Sequence, residues 1–376
     1  MDPRIGCFAP DRCRRLVVKI GSALLVNADG EVRRAWLEGV IADIASRHAA
    51  GQRIVIVSSG SIALGARRLG LPRGGRASLE DAQAAAATGQ ILLSGCYAAL
   101  LGARDITAAQ MLVTLDDLED RRRFLNASAT LDRLLSLGVV PVLNENDSVA
   151  TTEIRFGDND RLAARVAQAS GAGGVLLLSD IDGLYTANPQ HDPSARLVDT
   201  VEKLDERIMA MGDARSSSGL GSGGMVSKLQ AARIATQAGA HLAIISGKVD
   251  HPIATFAETG HGTVFIAPPG ARAKKAWLAG RLTVKGRIHI DAGAAAALQA
   301  GKSLLAAGAT GAEGRFYRGD PVDIVSPDGV AIARGLSEYD ADEIARLVGQ
   351  RSDAHEAILG YAPRAALIHR DHMVML

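Results

Sequence analysis

Residues 53–65 read RIVIVSSGSIALG, and this stretch decides the fold. Its first half is a β-branched run without polar alternation, the pattern of a strand buried on both faces of a parallel sheet. A Ser-Ser-Gly turn follows, and Ser61 opens a helical pattern. Strand, tight turn and helix in immediate succession make a βα unit. The same grammar recurs outward in both directions. LVVKIG (Leu16–Gly21), ITAAQMLV (Ile106–Val113), VVPVLNEND (Val139–Asp147), GVLLLSD (Gly174–Asp180) and AHLAIIS (Ala240–Ser246) are short apolar runs. Helical segments separate them, among them Trp36–Ala50 and a long Ala-rich one over Leu79–Leu101. This alternation predicts an α/β domain: a mainly parallel sheet sandwiched by helices.

The pattern changes at PPGARAKK (Pro268–Lys275), a Pro/Gly/basic stretch that reads as a linker. Beyond it the spacing predicts a helix over Asp291–Ala300 and short alternating strands around RFYRGDPVDIVSPDG (Arg315–Gly329). The expected organisation is therefore one large domain over 1–270 and a small mixed α+β domain over 276–376.

Composition narrows the function. The 376 residues carry 42 Lys and Arg against 41 Asp and Glu, a formal charge of +1, and only 3% are aromatic. The near-neutral balance argues against polyanion binding as the main business, and so few aromatics do not suit stacking platforms for single-stranded nucleic acid. The tail from Ala276 onward is itself net −1, which argues against an RNA-binding role for it. Cys7, Cys13 and Cys96 make no C-x-x-C pair and suit a reducing compartment. The N-terminus lacks an apolar core of signal-peptide length, and no stretch approaches about 18 uninterrupted apolar residues, so a cytoplasmic protein is expected.

Three motifs are decoys. GLGSGG (Gly219–Gly224) matches a dinucleotide fingerprint but follows serines rather than a strand. GKS (Gly301–Ser303) lacks the upstream glycine of a P-loop, since Ala296 stands there. His369 and His372 flank Asp371 and read as a solvated strand end rather than a metal site.

Five segments carry chemistry. Lys19 sits near the carboxyl end of an apolar strand, where its charge needs an anionic partner, and Gly21 and Ser22 follow at once. Ser59 lies in the Ser-Ser-Gly turn ahead of a helix, a ready anion site; a plain capping serine is the alternative. NEND (Asn144–Asp147) clusters amides and carboxylates at a strand end, which suits a polar ligand bearing an ammonium group. In FGDNDRLAA, Asp158, Asn159 and Asp160 open a helix and exceed what one cap requires. Finally, SSSGLGSGGMVSKLQAA leads a glycine loop into a helix with Lys228 in its first turn. Two lysines, an aspartate and two glycine turns at the carboxyl edge of one sheet describe a phosphoryl-transfer site.

Those segments, with QMLVTLDDLEDRRRFLNASATL and LLLSDIDGLYTANP, resemble the signature segments of the glutamate 5-kinase family, amino acid kinases of proline biosynthesis. GRIHIDAGAAAAL and ILGYAPRAALIHRD in the tail resemble a PUA domain. The resemblance runs from about Arg14 to the C-terminus. It implies that ATP, with Mg²⁺, is held by Lys19, Ser179, Asp180 and the run Ser222, Gly223, Gly224, Met225, Val226, Ser227 and Lys228. It implies that Ser59, Asp147 and Asn159 hold L-glutamate, and that Lys19, Asp160 and Lys228 serve the transferring group. It also implies feedback inhibition by proline, and a homo-oligomer is expected. Ser179 and Ser222 stand where the family commonly has threonine, and Val226 where it often has a small polar residue. Neither departure removes a charge. The competing readings are a kinase of the same fold with another carboxylate or carbamate acceptor, and an RNA-binding PUA protein.

Overall fold

The computed structural model describes residues 2–149, 158–189, 191–213, 224–268, 284–361 and 363–376. The chain divides into two compact units, residues 1–119 with 126–269, and residues 120–125 with 270–376.

The first unit holds strands β1 (Arg15–Ile20), β2 (Arg53–Ser58), β3 (Ala108–Val113), β4 (Val140–Glu145), β5 (Gly174–Ser179), β6 (Leu184–Tyr185), β7 (Leu197–Val198), β8 (Thr200–Val201), β9 (His241–Ser246) and β10 (Thr263–Phe265). Eight of them form one sheet in the order β3-β4-β2-β1-β5-β9-β10-β8. The six from β3 to β9 run parallel, and β10 turns antiparallel to β9. A two-stranded ladder, β6 with β7, stands apart. The apolar runs explain the centre. Leu16, Val17, Val18 and Ile20 are fully buried, as are Ile54 to Val57 and Val175 to Leu177. With helices on both faces, these central positions are shielded from water, so the runs do not alternate.

From β1 the chain passes to β2 on one side, and the later strand β5 enters on the other. Strand order therefore reverses at β1, where open α/β sheets bind ligands beyond the carboxyl ends. The ends are level there: Ile20 lies beside Ser58 of β2 and Leu178 of β5, and Ser179 beside Ser246 of β9.

The long helix Leu79–Gly102 begins on Ser78, whose Oγ accepts from the Asp81 amide at 3.1 Å. By length and composition it could cross a membrane. Its Ala82, Ala85, Leu93, Tyr97, Leu100 and Leu101 are instead buried in protein. It crosses the Ser61–Leu69 helix at a pair of glycines. A Cβ on Gly65 would stand 1.8 Å from the Ala85 carbonyl oxygen, and one on Gly89 1.8 Å from that of Ser61. Only glycine permits backbones this close.

The second unit contains β11 (Gly286–Ile290), β12 (Leu304–Leu305), β13 (Ala309–Gly314), β14 (Pro321–Val325), β15 (Ala331–Leu336), β16 (Ala366–Ile368) and β17 (Met373–Met375). Five form a sheet ordered β13-β11-β14-β15-β17, antiparallel except for β11 with β14, and β12 pairs with β16. Its core gathers Ile288, Val322, Ile324, Tyr339 and Leu367. The expected helix is present as Ala292–Gln299, capped by Asp291. One expectation is corrected. His372 is no solvated strand end: it is 9% exposed, and its Nδ1 lies 3.2 Å from the buried Glu338 carboxylate, which also accepts from Arg364 at 2.5 Å. A buried carboxylate requires such partners, and they draw the histidine inward. Burial pushes the Glu338 carboxyl up, but His372, Arg364 and Arg318 outweigh it and hold it below the usual range. Of the linker stretch, Pro268 is exposed and residues 269–275 lie outside the described residues.

Candidate active site

Lys19 leaves the central strand β1 with 7% of its surface exposed. Its Nζ lies 2.6 Å from Oδ1 of Asp160. Asp160 is the third residue of the helix Asp158–Ser170 and is 1% exposed. Its other oxygen, Oδ2, accepts from Nζ of Lys228 at 3.1 Å. Lys228 stands in the first turn of the helix Met225–Gln237, after Gly224. One strand and two helix starts thus bring three charges to one point.

The electrostatics are lopsided. Burial alone pushes the Asp160 carboxyl up; Lys19 and Lys228 together outweigh that, and it lies below the usual carboxylate range. One carboxylate faces two ammonium groups, leaving one unit of positive charge in a site with little water. Each ammonium has three donors and spends only part of them on Asp160. The cluster is built to take an anion. Beside it, a Cβ on Gly21 would come within 3.7 Å of both the Lys19 Nζ and the Leu178 carbonyl oxygen, so the backbone leaves room there.

Asn159, one residue before Asp160, turns to the Ser-Ser-Gly turn. Its Nδ2 donates to the Ser58 carbonyl at 2.9 Å, to Ser59 Oγ at 2.7 Å and to Asn144 Oδ1 at 3.0 Å. Ser59 is therefore no helix cap. The cap position falls to Gly60 at φ 108°, which has no side chain to bond the open amides of the Ser61–Leu69 helix. Ser179 and Asp180 lie at the end of β5, where Ser179 Oγ donates to Asp180 Oδ1 at 3.1 Å and accepts from the Ile181 amide at 3.3 Å. Asp147 lies two residues beyond β4, 9% exposed, and its charge acts on Arg76. Met225, Val226 and Ser227 form the first turn leading to Lys228, with Val226 38% exposed. Ser222 and Gly223 lie outside the described residues.

The structure thus unites Lys19, Asp160 and Lys228, joins Ser59 to Asn159, and sets Ser179 and Asp180 on the same sheet edge. It separates the NEND segment into parts. Asn144 is 1% exposed and spends its amide on protein groups, so it organises the site instead of facing a ligand. Arg76, which feels the charge of Asp147, lies in a loop that carries no motif.

A model described as "Amino acid kinase family" matches residues 14–246, and a PUA domain model matches residues 286–359. A protein named glutamate 5-kinase from Sphingopyxis alaskensis is 66% identical over 372 residues, 99% of this chain and 100% of that one. Another of the same name from Zymomonas mobilis is 62% identical over 98% of this chain and 93% of that one. The chain belongs to the glutamate 5-kinase family. Membership covers both units, so the departures at Ser179 and Val226 are variations within a glutamate 5-kinase frame. Among solved structures, a carbamate kinase from Giardia lamblia bound to AMP-PNP matches with a TM-score of 0.50 at 18% identity, over 68% of this chain and 99% of that one. That likeness speaks to the fold of the first unit.

Proposed function

We infer that this chain transfers the γ-phosphoryl group of ATP to the side-chain carboxylate of L-glutamate, giving L-glutamyl 5-phosphate, the first step of proline biosynthesis from glutamate. The observation that carries the reading is Asp160 bridging Lys19 and Lys228 at the carboxyl edge of the sheet. A carboxylate oxygen attacks the γ-phosphorus, the bond to the β,γ-bridging oxygen breaks, and ADP departs. Glutamate's side chain, with a pKa near about 4.3, is already ionised at neutral pH, so no general base is required. The obstacle is an anion approaching a polyanion. Lys19 and Lys228 answer it by stabilising charge on the phosphoryl oxygens, and Asp160 keeps their ammonium groups on target before the reaction begins. Ser59, Asn159 and Asp147 take the amino acid, Asp147 supplying the charge opposite an α-ammonium. Ser179, Asp180 and the segment 222–228 take the nucleotide.

Among the described residues no group of three or more His, Cys, Asp or Glu side chains could hold a metal, and Asp160 is spent on lysines. Mg²⁺ accordingly enters on the phosphates of ATP, as part of the substrate. Proline, sharing the α-amino acid end of glutamate, is proposed to inhibit at the same site. The chain is further proposed to be cytoplasmic. It would self-associate through the outer face of the Leu79–Gly102 helix, where Ile91 is 76% and Leu92 45% exposed. The decisive assay is ATP-dependent hydroxamate formation with L-glutamate, hydroxylamine and Mg²⁺. Activity confined to N-acetylglutamate, carbamate or UMP would overturn the assignment.

A further inference from the structure

The Asn159 amide belongs to a longer relay whose polarity is fixed throughout. At its inner end, Gln90 of the Leu79–Gly102 helix is 8% exposed and its Nε2 donates to Ser94 Oγ at 3.2 Å. That leaves its Oε1 to accept from Asn144 Nδ2 at 2.9 Å. Asn144 Nδ2 also donates to Ser61 Oγ at 3.2 Å. Asn144 Oδ1 accepts from the Glu145 amide at 2.9 Å and from Asn159 Nδ2 at 3.0 Å.

Two backbone groups make this direction obligatory. A backbone N–H can only donate, so the oxygen of Asn144 must face Glu145, and its nitrogen must face Gln90. A carbonyl can only accept, so the nitrogen of Asn159 must face Ser58. The consequence falls at the outer end. Asn159 Oδ1 is buried and has no hydrogen-bond partner among the described residues. A buried acceptor left unpaired is costly and awaits a donor.

We propose that Gln90 and Asn144 are positioning residues that fix the Asn159 amide so that its carbonyl oxygen is the acceptor left for the α-ammonium group of the amino acid substrate. This rests on the reading that the chain phosphorylates glutamate with Asn159 in the acceptor site. Neither Gln90 nor Asn144 touches the reacting atoms. Both act through Asn159, and Gln90 reaches Asn144 because the Gly65–Gly89 crossing lets its helix approach so closely. The relay bears on recognition of the amino acid and not on the nucleotide.

The test is steady-state kinetics on the full chain with L-glutamate and ATP. Gln90→Met keeps the volume and removes the acceptor, while Gln90→Glu keeps an acceptor oxygen toward Asn144. The KM for glutamate should rise about tenfold in Gln90→Met, the effect of one buried hydrogen bond. The KM for ATP should stay within about twofold, and Gln90→Glu should restore glutamate binding. Unchanged glutamate KM in Gln90→Met overturns the proposal, as does an equal rise for both substrates, which a merely structural role would give. If Gln90→Met does not melt cooperatively, a second pair decides. Asn144→Asp keeps the acceptor beside Asn159 and should bind glutamate nearly as the wild type does, whereas Asn144→Ala should not; equal KM values for the two overturn the proposal. A wild-type chain inert toward glutamate would refute the functional reading itself, while an active wild type with an indifferent Gln90→Met refutes only the relay.

Discussion

Lys19 and Lys228 share one carboxylate, and each should prove necessary for turnover. Each replaced by alanine removes a donor from charge that develops at the transferring phosphoryl group. Such a loss raises a barrier by about 2.7–4 kcal/mol, so kcat should fall roughly a hundred- to a thousandfold in either folded variant. Near wild-type turnover in either variant would remove that lysine from the mechanism. Asp160 tests the pair from below. Its folded pKa lies under its unfolded value, so it adds stability above a pH of about 3.9 and loses it as pH falls through the folded pKa. Asp160→Asn leaves two buried ammonium groups facing each other, a loss of about 3–5 kcal/mol at neutral pH. In urea titrations the gap between wild type and variant should narrow as the pH falls from about 5 toward 3; a gap that widens instead would mean that the carboxylate is not ionised in the fold. Asp147→Ala should raise the glutamate KM more than it lowers kcat, because an ammonium contact is present in both ground and transition states. Much of this was legible beforehand. A lysine in an apolar strand and three polar residues at one helix start each exceed what packing requires. Asn144 shows the limit, since a strand-end amide looks the same in sequence whether it meets a ligand or a neighbouring amide. Only tertiary structure tells which.

At the scale of elements, the apolar runs announced every strand of the sheet's parallel part, and their bounds hold within a residue or two. What stayed hidden depends on two distant segments meeting. Gly65, Gly89 and Gln90 carry no motif and no periodicity that marks them in sequence. Their meaning lies in the crossing of two helices. The short β8 and β10, two and three residues long, are too brief for any periodicity to show. The crossing itself can be probed. Gly89→Ala places a methyl carbon 1.8 Å from a backbone oxygen, so the helices must part. Overpacking of this kind costs about 1–3 kcal/mol and here also shifts Ser61, a partner of Asn144. A lowered melting temperature with a raised glutamate KM is expected. A variant as stable as the wild type would show that the helices have slack.

For the whole molecule the question is what the second unit contributes. Every residue assigned to phosphate or glutamate lies in the first unit, between Lys19 and Lys228. The second has its own core, which does not draw on the site residues. Removing it should therefore spare the chemistry and tax the stability. The second unit also claims residues 120–125, whose Leu125 is fully buried in a cluster with Leu336 and the partly buried Val374. A chain ending near Lys275 leaves Leu125 without these partners, at the start of the helix Arg121–Ser136. Full burial of a leucine is worth about 1.5–3 kcal/mol, enough to lower the melting temperature by several degrees without unfolding a domain of this size. Glutamate-dependent phosphoryl transfer should persist within about an order of magnitude, provided that the shortened chain melts cooperatively. Replacing Leu125 by a polar residue in the shortened chain should recover solubility without changing the KM for either substrate. Should the shortened chain melt cooperatively, bind ATP and yet transfer no phosphate, the second unit takes part in catalysis, and a site drawn wholly from the first is incomplete.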